Sequence, residues 1–297
     1  MFTTTVVDLR RSVTGFLARH GSELLIAVLG TVLAASLTTY LEWRFTQRQE
    51  RFANSLADRQ EIAENLRFVR DRASTKQPKP FLELNLAGVT LRALDLSCEA
   101  PPADDCAGFD GANLQEADLV FTKLHGATFN GANMRDASLD EADLSDTLFR
   151  SSDLRGATFE FTQLADATFS GAQLDDARLT SSYIGSTSFY GADLTNAEVH
   201  MAVVFEANFQ EAKLAGTSFS GSVLDGSDFS TAELAGSDFQ GACYNASTRW
   251  PADFSPPPRK SGRGTSSART FAMELARRSG PSTASRPRTR RLIPHGS

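Results

Sequence analysis

The chain has 297 residues, of which 41% are hydrophobic, and a formal net charge of -6. That length excludes an assembly of several large domains and leaves room for one sizeable domain with appendages. The small net charge conceals a partition, with 12 basic and 8 acidic residues in 1–80, 8 and 27 in 81–254, and 10 and 1 in 255–297. The middle of the chain is therefore acidic and both ends are basic.

A flank, 1–23, precedes an uncharged run of 18 residues from Leu24 to Leu41. As a helix this run rises ~27 Å, enough to cross a hydrocarbon core. A buried soluble helix is the alternative, but the rest of the chain offers no obvious core to receive it. A cleaved signal peptide fits less well, because Arg44 and Arg48 follow closely. The run predicts a single-pass protein of the cell membrane.

Arginines on the two sides of this run predict its orientation. Those before it are Arg10, Arg11 and Arg19, and those after it are Arg44, Arg48, Arg51 and Arg59. The slight excess after the span favours a cytoplasmic location for the remainder of the chain.

The segment 44–73 contains no Gly or Pro, and apolar residues recur among its charged residues at mostly helical spacing. It predicts an amphipathic helix that acts as a spacer and caps whatever follows. Self-association is an alternative, although its heptad pattern is irregular.

The segment 81–249 is dominated by a repeat of five residues. Every fifth residue from Phe109 to Phe239 is Leu, Phe, Met, Ile or Val, and the residue two positions earlier is Ala, Ser or Thr. Phenylalanine also recurs every twenty residues from Phe109 to Phe229. Neither a helix nor a strand has a period of five, so the pattern predicts a solenoid in which four walls complete one coil.

Units such as Gly111-Ala112-Asn113-Leu114 and Gly131-Ala132-Asn133-Met134 resemble the motif of the pentapeptide-repeat family. The resemblance covers about 109–244 and implies a mainly β fold, a right-handed, four-sided parallel β-helix. Leu86, Leu91 and Leu96 continue the ladder upstream in a shifted register, with larger residues at the small position. No catalytic residue accompanies the motif.

Cys98 and Cys106 flank the point where the ladder changes register, between Leu96 and Phe109. A protruding loop is expected there. The two cysteines would form a disulfide in an oxidising compartment and remain free thiols in the cytosol.

The segment 250–297 is basic and rich in Pro, Ser and Arg, which predicts a disordered tail. Only 268–278, around Phe271 and Leu275, could form a short helix. Such a tail could contact anionic lipid or nucleic acid, or remain solvated without a specific partner.

Coil arithmetic places several apolar residues on one outward face of the solenoid. Tyr183, Val203 and Val223 are twenty residues apart at an outward position, and Phe161, Met201 and Phe205 lie beside them. Such a patch predicts contact with another protein or a second copy, or coverage by the chain's own helix or tail.

The densest acidic region of the solenoid comprises Asp118, Asp136, Asp140, Glu141, Asp143 and Asp146. Some pentapeptide-repeat proteins mimic duplex DNA and antagonise type II topoisomerases, and the resemblance makes that activity conceivable here. Direct nucleic-acid binding by so acidic a solenoid is not expected, and solubility alone accounts for net negative charge.

No convergent catalytic groups, phosphate-binding loop or histidine cluster accompany the repeat, so no enzyme activity, cofactor or metal is predicted. The sequence favours a membrane-anchored, noncatalytic scaffold for protein contact, with the topoisomerase antagonist as the alternative.

Overall fold

The structure is a computed structural model that describes residues 43–51, 53–73, 79–98 and 106–258. The predicted membrane span, Leu24–Leu41, and the flank before it lie outside these residues. Among the helices of the described residues, none is both long enough and apolar enough to cross a bilayer.

The chain divides into two compact units, Met1–Gln60 and Glu61–Ser297. The described residues of the first unit are helical. We label the helical residues 43–51 as α1 and the helical residues 53–73, which end in the second unit, as α2; residue 52, between them, is outside the described residues. The described side chains of the first unit are mostly exposed, Trp43 and Phe45 among them.

The second unit is a solenoid built from short parallel pairings between successive coils. Its strands are β1 (Lys79–Pro80), β2 (Ala107–Gly108), β3 (Tyr183–Gly185) and β4 (Val203–Phe205), with β1 parallel to β2 and β3 parallel to β4. Isolated bridges such as Asn113↔Asn133 repeat every twenty residues on four walls. The predicted four-walled coil is confirmed.

Each five-residue unit is a short extended wall followed by a tight turn. In the unit beginning at Phe109, the Ala112 N–H donates to the Phe109 carbonyl (3.0 Å), and Gly111 has a φ of 69°. Type II turns require a positive φ at this third position. The Phe109 N–H instead donates to Thr128 O of the next coil, at 2.6 Å. Such a unit therefore turns the chain and also bonds it to the next coil.

The interior is filled by stacked rings and small side chains. Phe109, Phe129, Phe149, Phe169, Phe189, Phe209 and Phe229 stack with centroids 4.7 to 5.1 Å apart. Phe159, on the opposite wall, contacts Phe149 and Phe169 edge-on. Where the small residue is Thr or Ser its hydroxyl is paired, as in Thr187 Oγ1 donating to Leu164 O at 2.6 Å. Polar groups at these buried positions thus avoid the penalty of an unmade hydrogen bond.

The first coil pairs with the second at an offset of 28 residues, as in Asn85↔Asn113, so eight residues more than the regular twenty separate them. Phe81 consequently lies 4.9 Å from Phe109 and extends the phenylalanine column by one ring. The solenoid therefore begins at β1, slightly before the predicted residue 81.

Part of α2 covers the open end of the first coil. Val69 is fully buried, and Phe68 meets Phe81 edge-on at 5.8 Å. Asn65 Nδ2 donates to Asn85 O at 3.0 Å, which satisfies a carbonyl that no preceding coil could reach. Leu84 and Leu94, at positions that hold small residues elsewhere, pack into the same cluster.

The predicted boundary at residue 249 is too early. The last coil contains one additional residue, since Asp228 pairs with Arg249, and Trp250 then stacks on Phe229 at 5.0 Å. Phe254 packs against Trp250 at 5.4 Å and covers the base of the column. Residues 250–258 therefore belong to the solenoid, and 259–297 lie outside the described residues.

Replacing Phe169 with Ala should lower the stability of the solenoid by about 3 to 5 kcal/mol, because the cavity would interrupt a column of stacked rings. Phe169→Leu, which preserves most of the volume, should cost about 1.5 kcal/mol or less. Urea unfolding followed by circular dichroism measures both. Equal midpoints for the two variants would contradict the role assigned to the column.

Candidate protein-contact site

Four of the six apolar residues predicted for the contact lie on or beside one wall in register. This wall, which we call the Tyr183 wall, carries Lys123, Asp143, Gln163, Tyr183, Val203, Val223 and Cys243 as successive bridge residues. Tyr183 pairs with Val203 across β3 and β4, and Gly185 pairs with Phe205 in the same register. The sheet here is longer than the single bridges found elsewhere on this wall.

The Tyr183 ring lies across its own strand. A Cβ placed on Gly185 would lie only 2.8 Å from Tyr183 Cε1. Only glycine leaves room for the ring in this position. Val203 and Val223, in the following coils, are buried, so they support the face from within rather than contribute most of its exposed surface.

The remaining two residues, Phe161 and Met201, lie on the corner that precedes the Tyr183 wall. This corner, the Phe161 corner, carries Phe121, Glu141, Phe161, Ser181, Met201 and Gly221 in successive coils. Met201 is 66% exposed and Phe161 45% exposed, while Phe205 at the other edge of the wall is 41% exposed. We call the predicted set of six residues the apolar face: Phe161, Tyr183, Met201, Val203, Phe205 and Val223.

The backbone of the Phe161 corner makes its large side chains unusual. Phe121, Phe161 and Met201 have φ values of 61°, 57° and 53°. At the other left-handed positions of the described solenoid the residue is Gly, Asp, Asn, Glu, Ser or Ala. Bulky side chains rarely adopt this conformation. The three exceptions lie on one corner, in alternate coils.

Phe121 was not part of the predicted surface, although it lies on the same corner. The guanidinium of Arg92 lies over its ring, 5.5 Å from the centroid. The sequence contains a signal for Phe121: Phe121, Phe161 and Met201 are forty residues apart, and each directly precedes the small inward residue of its unit. Phe121 is nevertheless 46% exposed, so the corner presents three large side chains to solvent.

Carboxylates line the other edge of the apolar face. Burial, with a contribution from the neighbouring Asp146, raises the pKa of Asp166. Burial also raises the pKa of Tyr183, and Asp166 and Glu206 add to the shift through their negative charge. Among the described residues, no Lys or Arg forms an ion pair with Asp166 or Glu206. The face is thus apolar in the middle with an acidic edge.

The predicted acidic region does not form one face. Asp118 and Asp143 belong to adjacent walls, and the other four residues, Asp136, Asp140, Glu141 and Asp146, occupy three corners. Several of the carboxylates already have partners within the solenoid. Asp118 pairs with Arg92 at 3.3 Å, and Asp140 accepts the Glu160 N–H at 2.8 Å.

Cys98 and Cys106 are joined by a disulfide that closes the inserted loop, with their Cα atoms 4.7 Å apart. Cys243, the last residue of the Tyr183 wall, is a free thiol. His125 Nδ1 lies 3.6 Å from Asp146 Oδ2. Within the described residues, no group of His, Cys, Asp and Glu side chains could hold a metal ion.

The family described as Pentapeptide repeats matches the chain in eight copies, over residues 107–146, 132–171, 142–180, 172–203 and 205–243. No curated protein matches this chain. Similar solved structures include QnrB1, a plasmid-mediated fluoroquinolone resistance protein, with 19% identity, a TM-score of 0.38, and coverage of 56% of this chain and 91% of QnrB1.

Two further structures are similar over the repeats. A pentapeptide repeat protein from the thylakoid lumen of Arabidopsis thaliana is 29% identical, with a TM-score of 0.31, over 32% of this chain and 67% of its own. HetL, involved in heterocyst differentiation regulation in Nostoc sp. strain PCC 7120, is 23% identical, with a TM-score of 0.20, over 60% of this chain and 90% of its own.

Replacing Asp166 with Asn should stabilise the protein at neutral pH, by on the order of 0.5 kcal/mol after solvent screening. A carboxyl whose folded pKa is raised contributes stability below its unfolded pKa and loses it as pH rises through the folded pKa. The advantage of the variant should therefore disappear near about pH 3. Urea midpoints at the two pH values test this.

Asp153→Asn is the matched control with the opposite sign. Hydrogen bonds from the Arg155 side chain lower the pKa of Asp153, against the effect of burial. Its stabilising contribution is present at neutral pH and is lost as pH falls through the folded pKa. The control variant should therefore be less stable than the parent at neutral pH. A stabilising D153N, or a D166N effect independent of pH, would contradict this electrostatic account.

Proposed function

Because the repeat region of this chain belongs to the pentapeptide repeat family, we propose that its solenoid is a rigid, noncatalytic scaffold that binds a protein partner through the apolar face. One observation carries the proposal. The bulkiest residues at left-handed positions of the solenoid all lie on the corner beside this face.

Phe161 and Met201 are energetically unfavourable residues for the left-handed corner that they occupy. A left-handed conformation costs a non-glycine residue about 1 to 2 kcal/mol, and Phe and Met gain little from burial when they are exposed. Asp, Asn or Gly would suit Phe161 and Met201 better on both counts, as they do at neighbouring corners. Residues that violate local preferences without an internal compensation are expected at functional sites.

The column suits this role because its backbone holds the face in a fixed arrangement. Each coil under the face donates and accepts hydrogen bonds on both sides, as in Tyr183 N–H to Thr162 O and Val203 N–H to Ser182 O. A partner that binds there has no loop to order, so the entropic penalty of association falls mainly on the exposed side chains.

The proposal includes an anchor in the cell membrane, for which the uncharged run Leu24–Leu41 is the support. Two features bear on which side the solenoid faces. The arginine excess after the run favours the cytoplasm. A disulfide such as Cys98–Cys106 persists mainly in oxidising compartments.

The topoisomerase antagonist stays a prediction from the family resemblance. Its acidic residues are spread over two walls and three corners, and Asp118 is paired with an arginine. Unchanged supercoiling by a type II topoisomerase in excess purified protein would eliminate it.

Replacing Phe161 and Met201 together with Asn should reduce crosslinked partner recovered from native membranes at least about tenfold, since exposed anchors dominate such contacts. Because Asn suits left-handed backbone, the thermal midpoint should stay equal or rise. Tyr190→Ser, which removes a 42% exposed aromatic on another corner, is the control. Undiminished recovery of the same partner in the double variant would refute the assigned surface.

If the solenoid is cytoplasmic, as the sequence predicts, a thiol-reactive polymer added to denatured, unreduced whole-cell protein should modify three cysteines. Cys243, which is free in the structure, serves as the internal control. Modification of Cys243 alone, with Cys98 and Cys106 reacting only after reduction, would contradict the cytoplasmic location and favour the outer side of the membrane. A gel shift separates the two results.

A further inference from the structure

We propose that the segment 259–297 of the same chain binds the apolar face and competes there with the external partner. This inference rests on the proposed function, because it assumes that the face is a contact surface. It identifies the chain's own C-terminal segment as one occupant of the face, and this occupant would regulate binding of the external partner by competition.

The last described residues, 251–258, lie at the base of the solenoid, where Phe254 packs against Trp250. Tyr244 Oη donates to Pro257 O at 2.6 Å. Tyr244 directly follows Cys243, which is the last bridge residue of that wall and pairs with Val223. The described chain therefore ends at residue 258, one residue after a contact with the last coil.

The distance to the face suits the length of chain available. Three coils separate Cys243 from Tyr183, which corresponds to ~14 Å at the spacing of neighbouring strands. The stretch 259–270 is rich in Gly, Ser and Arg. A Gly- and Ser-rich chain of about twelve residues has a root-mean-square span of about 20 Å. A linker that matches its span gives an effective concentration in the millimolar range.

The composition of this segment complements the face. Phe271 and Leu275 are four residues apart, a spacing that brings both to one side of a helix. Arg269, Arg277 and Arg278 flank them. Phe271 and Leu275 would cover Phe161, Met201 and Phe205, which are the exposed residues of the face.

The acidic edge supplies sites for the arginines. Asp166 and Glu206 have no Lys or Arg partner among the described residues, and Asp166 also lies near Asp146. An arginine beside Asp166 would offset the negative charge of Asp166 and Asp146 and form charge-assisted hydrogen bonds. The segment 255–297, with ten basic residues and one acidic residue, is the most basic part of the chain.

The test places the photoreactive amino acid p-benzoylphenylalanine at Met201 in the full-length, membrane-bound chain. Irradiation should give an adduct that migrates at the mass of one chain and whose protease fragments join position 201 to a peptide that contains residues 270–276. The same label at Tyr190, on the diagonally opposite corner, should give no such adduct. Replacing Arg269, Arg277 and Arg278 with Glu should lower the adduct yield at least about fivefold, because the acidic edge would then repel the segment.

Three other results would overturn the inference. An adduct at twice the chain mass, joining Met201 to a second copy, would make the face a self-association surface. An adduct with a different protein and none with the tail would leave the proposed function intact but remove the internal competitor. No adduct with any protein, together with undiminished partner recovery by the Phe161 and Met201 double variant, would remove both.

Removing residues 259–297 provides an independent readout of competition. If the tail occupies the face, the shortened chain should recover at least about threefold more partner than the full chain at equal protein. Equal recovery would contradict the competition even if the tail can touch the face.

Discussion

The structure depends on how closely each coil can approach the next. Neighbouring strands lie about 4.8 Å apart, and the stacked phenyl rings have nearly the same repeat. Backbone hydrogen bonds and ring contacts therefore form together only if the inward position at each corner holds Ala, Ser or Thr. A larger residue there would separate the coils and break bonds such as Phe109 N–H to Thr128 O.

The requirement for a small inward residue applies only between stacked coils. The two ends of the column therefore carry different residues from its middle. No coil of the described residues precedes the first one, so Leu84 and Leu94 can occupy positions that are small elsewhere. They belong to the same hydrophobic cluster as Leu66 and Val69 of α2. Below the last coil, Trp250 packs against Phe229 and Phe239, and Phe254 packs against Phe239. Solenoids require such caps because a terminal coil exposes one side of its core.

The sequence was sufficient to predict the coil, its four walls and the phenylalanine column, since strict periodicity leaves few alternatives. It was insufficient at Phe81 and Trp250, which belong to the same column but lie beyond insertions of eight residues and one residue. The five-residue period does not predict how many extra residues an insertion contains, so it cannot assign a position in the coil to residues on the other side of that insertion. The apolar face was predictable in position, whereas the left-handed backbone of Met201 and the contact between Arg92 and Phe121 depend on backbone angles and tertiary packing.

Among outward positions of the solenoid, the corners are more informative about function than the walls. Tyr183 and Val203 lie in extended backbone, for which β-branched and aromatic residues have an intrinsic preference, so their presence there has a purely structural explanation. Phe161 and Met201 have none, because a left-handed corner favours Gly, Asn or Asp and these side chains are exposed. The core does not need them either, since corner side chains point away from the stacked rings. A binding partner outside the column would account for Phe161 and Met201, and for this reason we assign the proposed contact to the side on which they lie.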